Sequence, residues 1–585
     1  MTKKTNNPEV LNASATQILA VAVLKLFPQA KIATGQVSSV GFFYDFELPE
    51  SLTPENLPAI EKEMRKLINK DYHFEQQELA LSEAKEIFAK NKQPYQLELL
   101  EEMKQEGQEK IKLCQSENLT SISIGDCLSS AREIAPDGIK LVEISGAYWK
   151  GDKKKKMLQR IYGVAFKSKL ELKKYLAMTR LAKERDHRKL GKELDLFVSS
   201  PLVGKGLPLL TPKGTAIRQE LEKFIIEEEE KRGYQRVSTP DLAKVDLYKK
   251  SGHWDHYQED MYPPINIDGQ DYVLRPMACP HHFILYKSKP RSYRDLPIRY
   301  AELAKLYRKE QSGELSGLIR MMSFTLADAH LICRPDQVEE EFKKVLELVQ
   351  HVMRTLKITD YWYRFSKWDP KDKKKYVDKP KEWEKTQKLM EVILKKLKLD
   401  YVQADGEAAF YGPKLDVQTK NVYGKEETAF TIQIDFDLPE KFDLTFVDEQ
   451  GEKQRPIVIH RSSIGCIERT LAFLIEQTAG SFPVWLSPVQ AVVIPISEKF
   501  NNYGKSVMET LQKDRLRVEI DNSDESLGKK ISQARQQKIP YLLIVGEKEA
   551  NTKEVAVRSR AKGDEGAVKL EDFIKRIRRE IKERQ

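Results

Sequence analysis

Three side chains carry the chemistry most worth explaining: Cys279 in PMACPHH, His330 in TLADAHLIC and His460 in VIHRSSIG. One soft thiolate and two imidazoles leave a zinc ion with open positions. That donor set suits a metal that binds substrate rather than one that staples a fold. Positions 279, 330 and 460 lie too far apart for a zinc finger. Three unrelated buried residues would give the same triple, so the residues flanking them decide between the two readings.

The flanks supply cations. Arg308 and Arg320 stand on either side of a glycine-containing turn, in LYRKEQSG (306–313) and GLIRMMSFT (317–325), and can sit on facing strands of one hairpin. Planar guanidinium forks suit phosphate oxygens, so each arginine could grip a different phosphate of one nucleotide. Phe324 could stack on a base, and Glu310 could accept from an exocyclic amine. In IHRSSIGCIERT (459–470) a strand passes through Gly465 into a helix, and Arg469 emerges on its first turns beside a terminal phosphate. No Walker-type glycine loop or dinucleotide fingerprint accompanies these arginines. An ATP site without one points to arginines held on antiparallel strands.

The elements that must position these groups follow from composition and pattern. A chain of 585 residues exceeds one hydrophobic core, and 40% apolar with 32% charged residues is ordinary for a folded multidomain protein. The net charge of +10 fits a polyanionic partner and also a merely lysine-rich surface. Five cysteines without paired spacing argue against a disulfide framework and for a reducing compartment. The polar start MTKKTNNPEV has no signal-peptide plan, and the longest apolar stretch, 18–27, is too short for a membrane span. These features predict a cytoplasmic protein.

The fold class expected is multidomain α/β. Residues 13–28 read as a buried helix and 40–48 as a strand, opening a mixed module over 1–170. Residues 171–197 are charged, proline-free and helical in period, which predicts a connecting helix, or else a helix within the first module. Short β runs separated by helices fill 198–486. The first helix there, over 215–232, carries Ile217, Leu221, Phe224 and Ile225 on one face and stops at Gly233. From 487 to 585 the runs AVVIPI and YLLIVG alternate with helices, predicting a small parallel or mixed sheet closed by a basic helix over 571–584.

Taken in order, GHWDHY (252–257), LRPMACP (274–280), RKEQSGELSGLIR (308–320), DAHLIC (328–333), FYGPKLD (410–416), TIQIDF (431–436) and HRSSIGCIERTLAFLIE (460–476) resemble the threonyl-tRNA synthetases, a class II aminoacyl-tRNA synthetase family. The likeness runs from residue 146 almost to the C-terminus. It implies a class II antiparallel-sheet catalytic domain, an α+β editing-like domain before it and an α/β anticodon-binding domain after Pro488. It also implies a homodimer built partly on the helix and strand ending at Pro240. Cys279, His330 and His460 would hold one Zn2+ that takes the amino and hydroxyl groups of threonine, with Asp328 accepting from that hydroxyl. Met277, Tyr411 and Gln433 would complete the threonine pocket beside Lys414. Arg308 would contact the α-phosphate of ATP, with Arg320 and Arg469 on the distal phosphates, Phe324 and Arg469 sandwiching adenine, and Mg2+ assisting. His253 matches a position that assists transfer to the terminal ribose of threonine tRNA, and Glu549 and Arg558 match anticodon-contacting positions. Valine lacks the hydroxyl. A site built to ligate that group rejects it by roughly 10⁴-fold or more, against about 10² for an apolar pocket.

The chain departs from the family pattern in two larger ways. Set against the resemblance, the sequence from Met1 onward is expected to lack the usual ubiquitin-like domain. The editing domain, which in this family hydrolyses seryl-tRNA, is marked by a His-x-x-x-His pair and a later Cys-x-x-x-His pair. Here these positions read Ala13 and Gln17, then Cys127 and Ala131. His73 is the sole histidine of 1–150, and Cys114 the sole other cysteine. The expectation is a retained fold without its hydrolysis, the alternative being editing through His73 or through a substrate hydroxyl and ordered water. Near the active site, Leu326, Cys466 and the Ala429–Phe430 pair replace a glutamine, a serine and a smaller pair, which predicts neutral repacking or a retuned pocket. Two further readings are a specialised second synthetase and a non-catalytic tRNA-binding homologue. The intact arginines and metal donors oppose the second.

Overall fold

An apolar segment flanked by Asn7 and Pro8 has both signals for starting a helix, a capping side chain and a proline where no N–H is needed. In the computed structural model, which describes residues 7–38, 40–116, 119–311 and 313–585, helix α1 accordingly runs Pro8–Leu26. The Asn7 side chain accepts from the Glu9 backbone N–H at 3.0 Å. The polar stretch 1–6 and Ser312 of the arginine loop lie outside the described residues. α1 begins five residues before the sequence pattern placed it, and every residue from Val10 to Val23 is buried. By length and composition the whole helix could cross a membrane, because it extends the apolar stretch of 18–27 through the mixed segment before it. Yet 78% of its apolar window is buried within its own unit.

Burial on all sides has a direct cause. α1 packs against a four-stranded antiparallel sheet, ordered Lys31–Val37, Phe42–Glu47, Met157–Ala165, Ile139–Tyr148, and against the helix Leu57–Asn69. A second sheet pairs Glu75–Ala80, Lys110–Ser116 and Leu119–Ile122. These elements form one compact unit ending at Arg180; a second unit runs from Leu181 onward. The single helix expected over 171–197 is instead two, Lys169–Arg185 and His187–Glu193. Asp186 breaks it, because its carboxylate accepts from the Arg188 backbone N–H at 2.8 Å and caps a new helix.

The second unit is organised by an eight-stranded sheet, with strands numbered in chain order: β1 Gln235–Arg236, β2 Ile298–Tyr307, β3 Ser323–Cys333, β4 Tyr361–Ser366, β5 Tyr401–Ala404, β6 Lys414–Lys420, β7 Glu426–Asp435 and β8 Ile457–Cys466. Their spatial order is β1-β2-β3-β8-β7-β6-β4-β5, antiparallel except at the two edges. Helices α4 (Val338–Thr355) and α5 (Ile467–Thr478) cover one face. The other face is left for the site. Helix α2 (Pro212–Glu230) buries Ile217, Leu221, Phe224 and Ile225, as its period predicts, and α3 (Cys279–Lys287) packs near the middle strands.

At the C-terminal end, Ala491–Pro495 and Tyr541–Val545 pair in parallel, as do Ala491–Pro495 and Val518–Ile520, while Glu554–Ser559 and Gly563–Lys569 add antiparallel strands. The sheet is therefore mixed. The closing helix runs Leu570–Lys582. Arg584 just beyond it pairs with Glu227 of α2 at 2.7 Å, and Arg517 pairs with Glu220.

Candidate active site

Side chains alternate across a strand, and residues directly opposite in antiparallel strands share a face. The register places His330 of β3 opposite His460 of β8, His460 opposite Gln433 of β7, and Gln433 opposite Lys414 of β6. One step along the same face, Asp328 lies opposite Ser462, and Ser462 opposite Thr431. Residues far apart in the chain thus form two adjacent rows. Above them is a cavity of about 480 Å³, within the usual range for small-molecule sites. Every catalytic, ATP, threonine and metal candidate from the sequence lines it.

At its floor, the ligand atoms of Cys279, His330 and His460 lie within 4.8 Å of one another, and all three residues are buried. With Zn–S near 2.3 Å and Zn–N near 2.0–2.1 Å, such a triangle fits one zinc ion. The free lone pairs can be assigned from the bonds the other nitrogens make. His460 gives Nε2 to Asp435 Oδ2 at 2.7 Å, leaving Nδ1. His330 Nδ1 meets His282 Nδ1 at 2.8 Å, and its Nε2 faces Asp328 Oδ1 at 3.9 Å. Cys279 begins α3, where the helix N-terminus favours a thiolate. Without a cation, burial and the nearby Asp328 and Asp435 charges push its thiol well up, while burial drives His330 well down. A buried imidazole kept neutral at His330 and a thiol that ionises only beside a cation suit metal binding.

Asp328 is pushed up to about 6 by burial, against the pull of His282, His460 and Arg461. Tyr411 donates to Gln433 Oε1 and stacks on His460, with ring centroids 4.8 Å apart. Lys414 Nζ lies 3.3 Å from Asp416. His253 is buried against the triad: Nδ1 meets Ser251 Oγ at 2.8 Å and Nε2 is 3.7 Å from Cys279 Sγ. Burial pushes it down to about 3.

Two guanidiniums converge at the other end. Arg308 stacks over Phe324, 5.3 Å from its centroid, with Nη2 3.1 Å from Met277 Sδ. Arg469, on the first turn of α5, donates to the carbonyls of Ile319 at 3.0 Å and Thr428 at 3.1 Å. Neither has a carboxylate within ion-pair distance among the described residues, and burial with the charge of Arg469 lowers the Arg308 pKa. Gly465 makes this approach possible: its φ is +68°, and a Cβ there would meet Ala429 O at 2.2 Å. Arg320 differs. It is 44% exposed and tied to Glu310 at 2.6 Å and Glu314 at 3.0 Å, so Glu310 is engaged by a neighbour. Leu326 lies opposite Cys466, and both line the cavity with Ala429 and Phe430.

Sequence reasoning missed His282, Glu302 and Asp435. His282 is the second histidine of PMACPHH, and Asp435 stands two residues after Gln433. Glu302 had no local signal, because only the register puts it opposite Asp328. Burial pushes Glu302 up, yet hydrogen bonds from His282 and Thr239 and the charge of Arg275 bring it down to about 2.

Glu549 and Arg558 are elsewhere, in the C-terminal sheet region. Glu549 accepts from the Gly546 N–H at 3.0 Å, and Arg558 pairs with Asp564 at 3.1 Å. In the N-terminal unit, Ala13 and Gln17 lie one turn apart on α1. Ser121 Oγ donates to Gln17 Oε1 at 3.0 Å, while Gln17 Nε2 is buried without a partner among the described residues. Cys127 Sγ is 3.8 Å from Cys114 Sγ, and Ala131 is fully buried. His73 is not part of this cluster's interior; its side chain is 67% exposed, 3.7 Å from Asp71.

Comparison with known proteins accords with this geometry. Residues 264–478 match the class II tRNA synthetase core domain of the G, H, P, S and T type, and 490–580 match an anticodon-binding domain. A threonine–tRNA ligase of Clostridium botulinum is 50% identical over 576 residues, covering 98% of this chain and 89% of that protein. One from Halalkalibacterium halodurans is 46% identical over 577 residues, with the same coverage. A solved structure described as the RNA binding domain of threonyl-tRNA synthetase from Cryptosporidium parvum superposes with a TM-score of 0.64 at 35% identity, spanning 67% of this chain and 98% of that one. The chain belongs to the threonine–tRNA ligases, class II synthetases with an anticodon-binding domain.

Proposed function

We propose that the cavity joins L-threonine to ATP as threonyl-adenylate and passes the threonyl group to threonine tRNA, and that the chain has lost hydrolysis of seryl-tRNA. The observation that carries the first part is the convergence of two arginines lacking carboxylate partners with the Cys279, His330 and His460 donors in one cavity. Paired guanidiniums without anions repel each other and are relieved by a polyphosphate. Arg308 steadies the α-phosphate as the threonine carboxylate attacks it and Mg2+-pyrophosphate departs, and Arg469 holds a distal phosphate. Phe324 offers its ring to adenine. Asp328 accepts from the threonine hydroxyl, and Tyr411, Gln433 and Met277 shape the pocket. When bound, zinc supplies a Lewis-acid seat for the amino and hydroxyl groups of threonine. His253, against Cys279, assists transfer to the ribose, and Glu549 and Arg558 meet the anticodon.

Loss of editing rests on Ala13, Gln17 and Ala131, whose side chains have no group able to move a proton at neutral pH. A zinc held by Cys279, His330 and His460 would take the hydroxyl of serine as well, and the missing methyl is worth only about 1–3 kcal/mol of selectivity. Errors would therefore reach the tRNA. Residues 1–170 act as the editing-like domain, 198–486 as the catalytic domain and 487–585 as the anticodon domain. Five buried, unpaired cysteines support a reducing, cytoplasmic setting. A homodimer is supported by the exposed apolar run before α2, where Leu202 is 98% exposed beside Val198, Val203 and Leu209.

The test is parallel charging of threonine tRNA with threonine and with serine, using excess enzyme and following product over time. Threonyl-tRNA with stably accumulating seryl-tRNA is expected. Seryl-tRNA that appears and then decays faster than without enzyme refutes the loss of editing, and absence of threonyl-tRNA refutes the activity.

A further inference from the structure

The metal donors are held by neighbours that no motif singled out. His460 is braced directly, with Nε2 on the Asp435 carboxylate. His330 is braced at one remove. Its Nδ1 meets His282 Nδ1 at 2.8 Å, and His282 Nε2 meets Glu302 Oε2 at 3.1 Å. The two rings stand almost perpendicular, 86° apart, and both are buried. His282 lies three residues after Cys279 on α3, so one helix face presents both a metal donor and this brace.

We propose that His282, oriented by Glu302, is the positioning residue that decides which nitrogen of His330 faces the metal. This rests on the zinc reading above. The argument is a count of protons. Glu302 is an acceptor toward His282, because its Oε1 already takes the Thr239 backbone N–H at 3.0 Å and Arg275 Nη1 at 3.2 Å. His282 therefore carries its proton on Nε2 and offers a lone pair at Nδ1. Only one proton fits between the facing Nδ1 atoms, so it sits on His330. The lone pair of His330 is then on Nε2, toward Cys279 and Asp328. Asp435 acts in the opposite sense on His460, leaving its Nδ1 free. One ligand presents Nε2 and the other Nδ1, and the protein sets both before any metal arrives.

The Glu302→Gln variant isolates the idea. The two N–H donors at Oε1 hold the amide oxygen there, which turns the amide nitrogen toward His282 Nε2. His282 must then accept at Nε2 and donate at Nδ1. His330 in turn must accept at Nδ1 and carries its proton on Nε2, where the metal should bind. An almost isosteric change, one residue removed from the donors, reverses two tautomers.

The experiment measures zinc affinity by competition with a chromogenic chelator in the full-length protein, with the electronic spectrum of the cobalt-substituted form as a second readout. Wild type is expected to bind one zinc per chain. If it binds none, the zinc reading itself fails, and this inference falls with it. Glu302→Gln and His282→Leu are each expected to weaken zinc by roughly 10- to 100-fold. His282→Asn, whose amide oxygen can stand in for Nδ1, should lie closer to wild type than to His282→Leu. Thermal unfolding of the zinc-free proteins separates this from a general packing defect, since a merely structural role would lower that stability and leave zinc affinity intact. Wild-type affinity and an unchanged cobalt spectrum in Glu302→Gln would overturn the proposal even if His282→Leu failed to fold.

Discussion

Two buried polar clusters in this protein occupy comparable settings and differ in what surrounds them. In the C-terminal unit, His330 and His460 on the sheet face meet Cys279 at the start of α3, and each imidazole has its second nitrogen against a dedicated partner. In the N-terminal unit, Ala13 and Gln17 of α1 and the later Cys127 and Ala131 hold the corresponding positions, where an amide and two methyl groups stand in place of titratable rings. The first cluster spends buried polar groups on holding chemistry in register. The second spends few, and Gln17 Nε2 is left without a partner among the described residues. A fold kept by apolar burial does not depend on reactive side chains at those positions. A site kept by hydrogen-bonded tautomers has no such tolerance.

The largest effect expected from this contrast is at Arg308. Arg308→Ala should lower threonine-dependent ATP–pyrophosphate exchange by about 10³-fold or more, as for other arginines that meet transferring phosphoryl groups. Thermal stability should barely move, because no carboxylate is orphaned by its loss. Exchange that persists near the wild-type rate would show that the phosphate grip lies elsewhere, and the comparison would lose its reactive half.

A middle-sized effect separates fold from chemistry in the other unit. Ile18 is fully buried in α1. Ile18→Ala removes packing at the centre of that helix and should cost about 2–5 kcal/mol of N-terminal stability. Threonine adenylation should be unchanged, since none of the cavity's lining comes from that unit. Differential scanning calorimetry with pyrophosphate exchange on the same sample reads both quantities. A parallel fall in exchange would show that the catalytic unit depends on the N-terminal one.

The cavity lining was legible in the sequence because its residues sit in long, locally recognisable runs: the PMACP turn into a helix, the arginines around a glycine turn, the HRSSIG strand into α5. What escaped depends on partners distant in the chain. Glu302 matters because β2 pairs with β3 in a register that sets it opposite Asp328, and no local pattern encodes that pairing. Arg320 lines the cavity as its reading on a distal phosphate expects, while its pairing with Glu310 and Glu314 had no signal in the sequence. The break at Asp186 was missed because a uniformly charged helical period hides a capping carboxylate. The start of α1 was misplaced for the opposite reason. Asn7 and Pro8 announce it plainly, but the apolar pattern drew attention to its middle.

The smallest effect is the sharpest test of the proposed loss of editing. Cys127 alone survives from the four reactive positions of the editing pattern, so hydrolysis by what is left of that pattern would run through it, whereas hydrolysis through His73 or a substrate hydroxyl and ordered water would survive Cys127→Ala. An ester is attacked by a thiolate or by a water that a base deprotonates, and either needs a neighbour to take the proton. The neighbours of Cys127 Sγ include another thiol, Cys114 at 3.8 Å, the Gly125 carbonyl at the same distance and the Ser14 hydroxyl, none of which is a base at neutral pH. The amide of Gln17, on the facing turn of α1, is bonded to Ser121 and cannot serve as a base. Seryl-tRNA prepared separately and added to wild type, to Cys127→Ala and to buffer should decay at one rate in all three. Faster decay with wild type that disappears in Cys127→Ala would restore chemistry to this pocket, and the contrast between the two clusters would become one of degree.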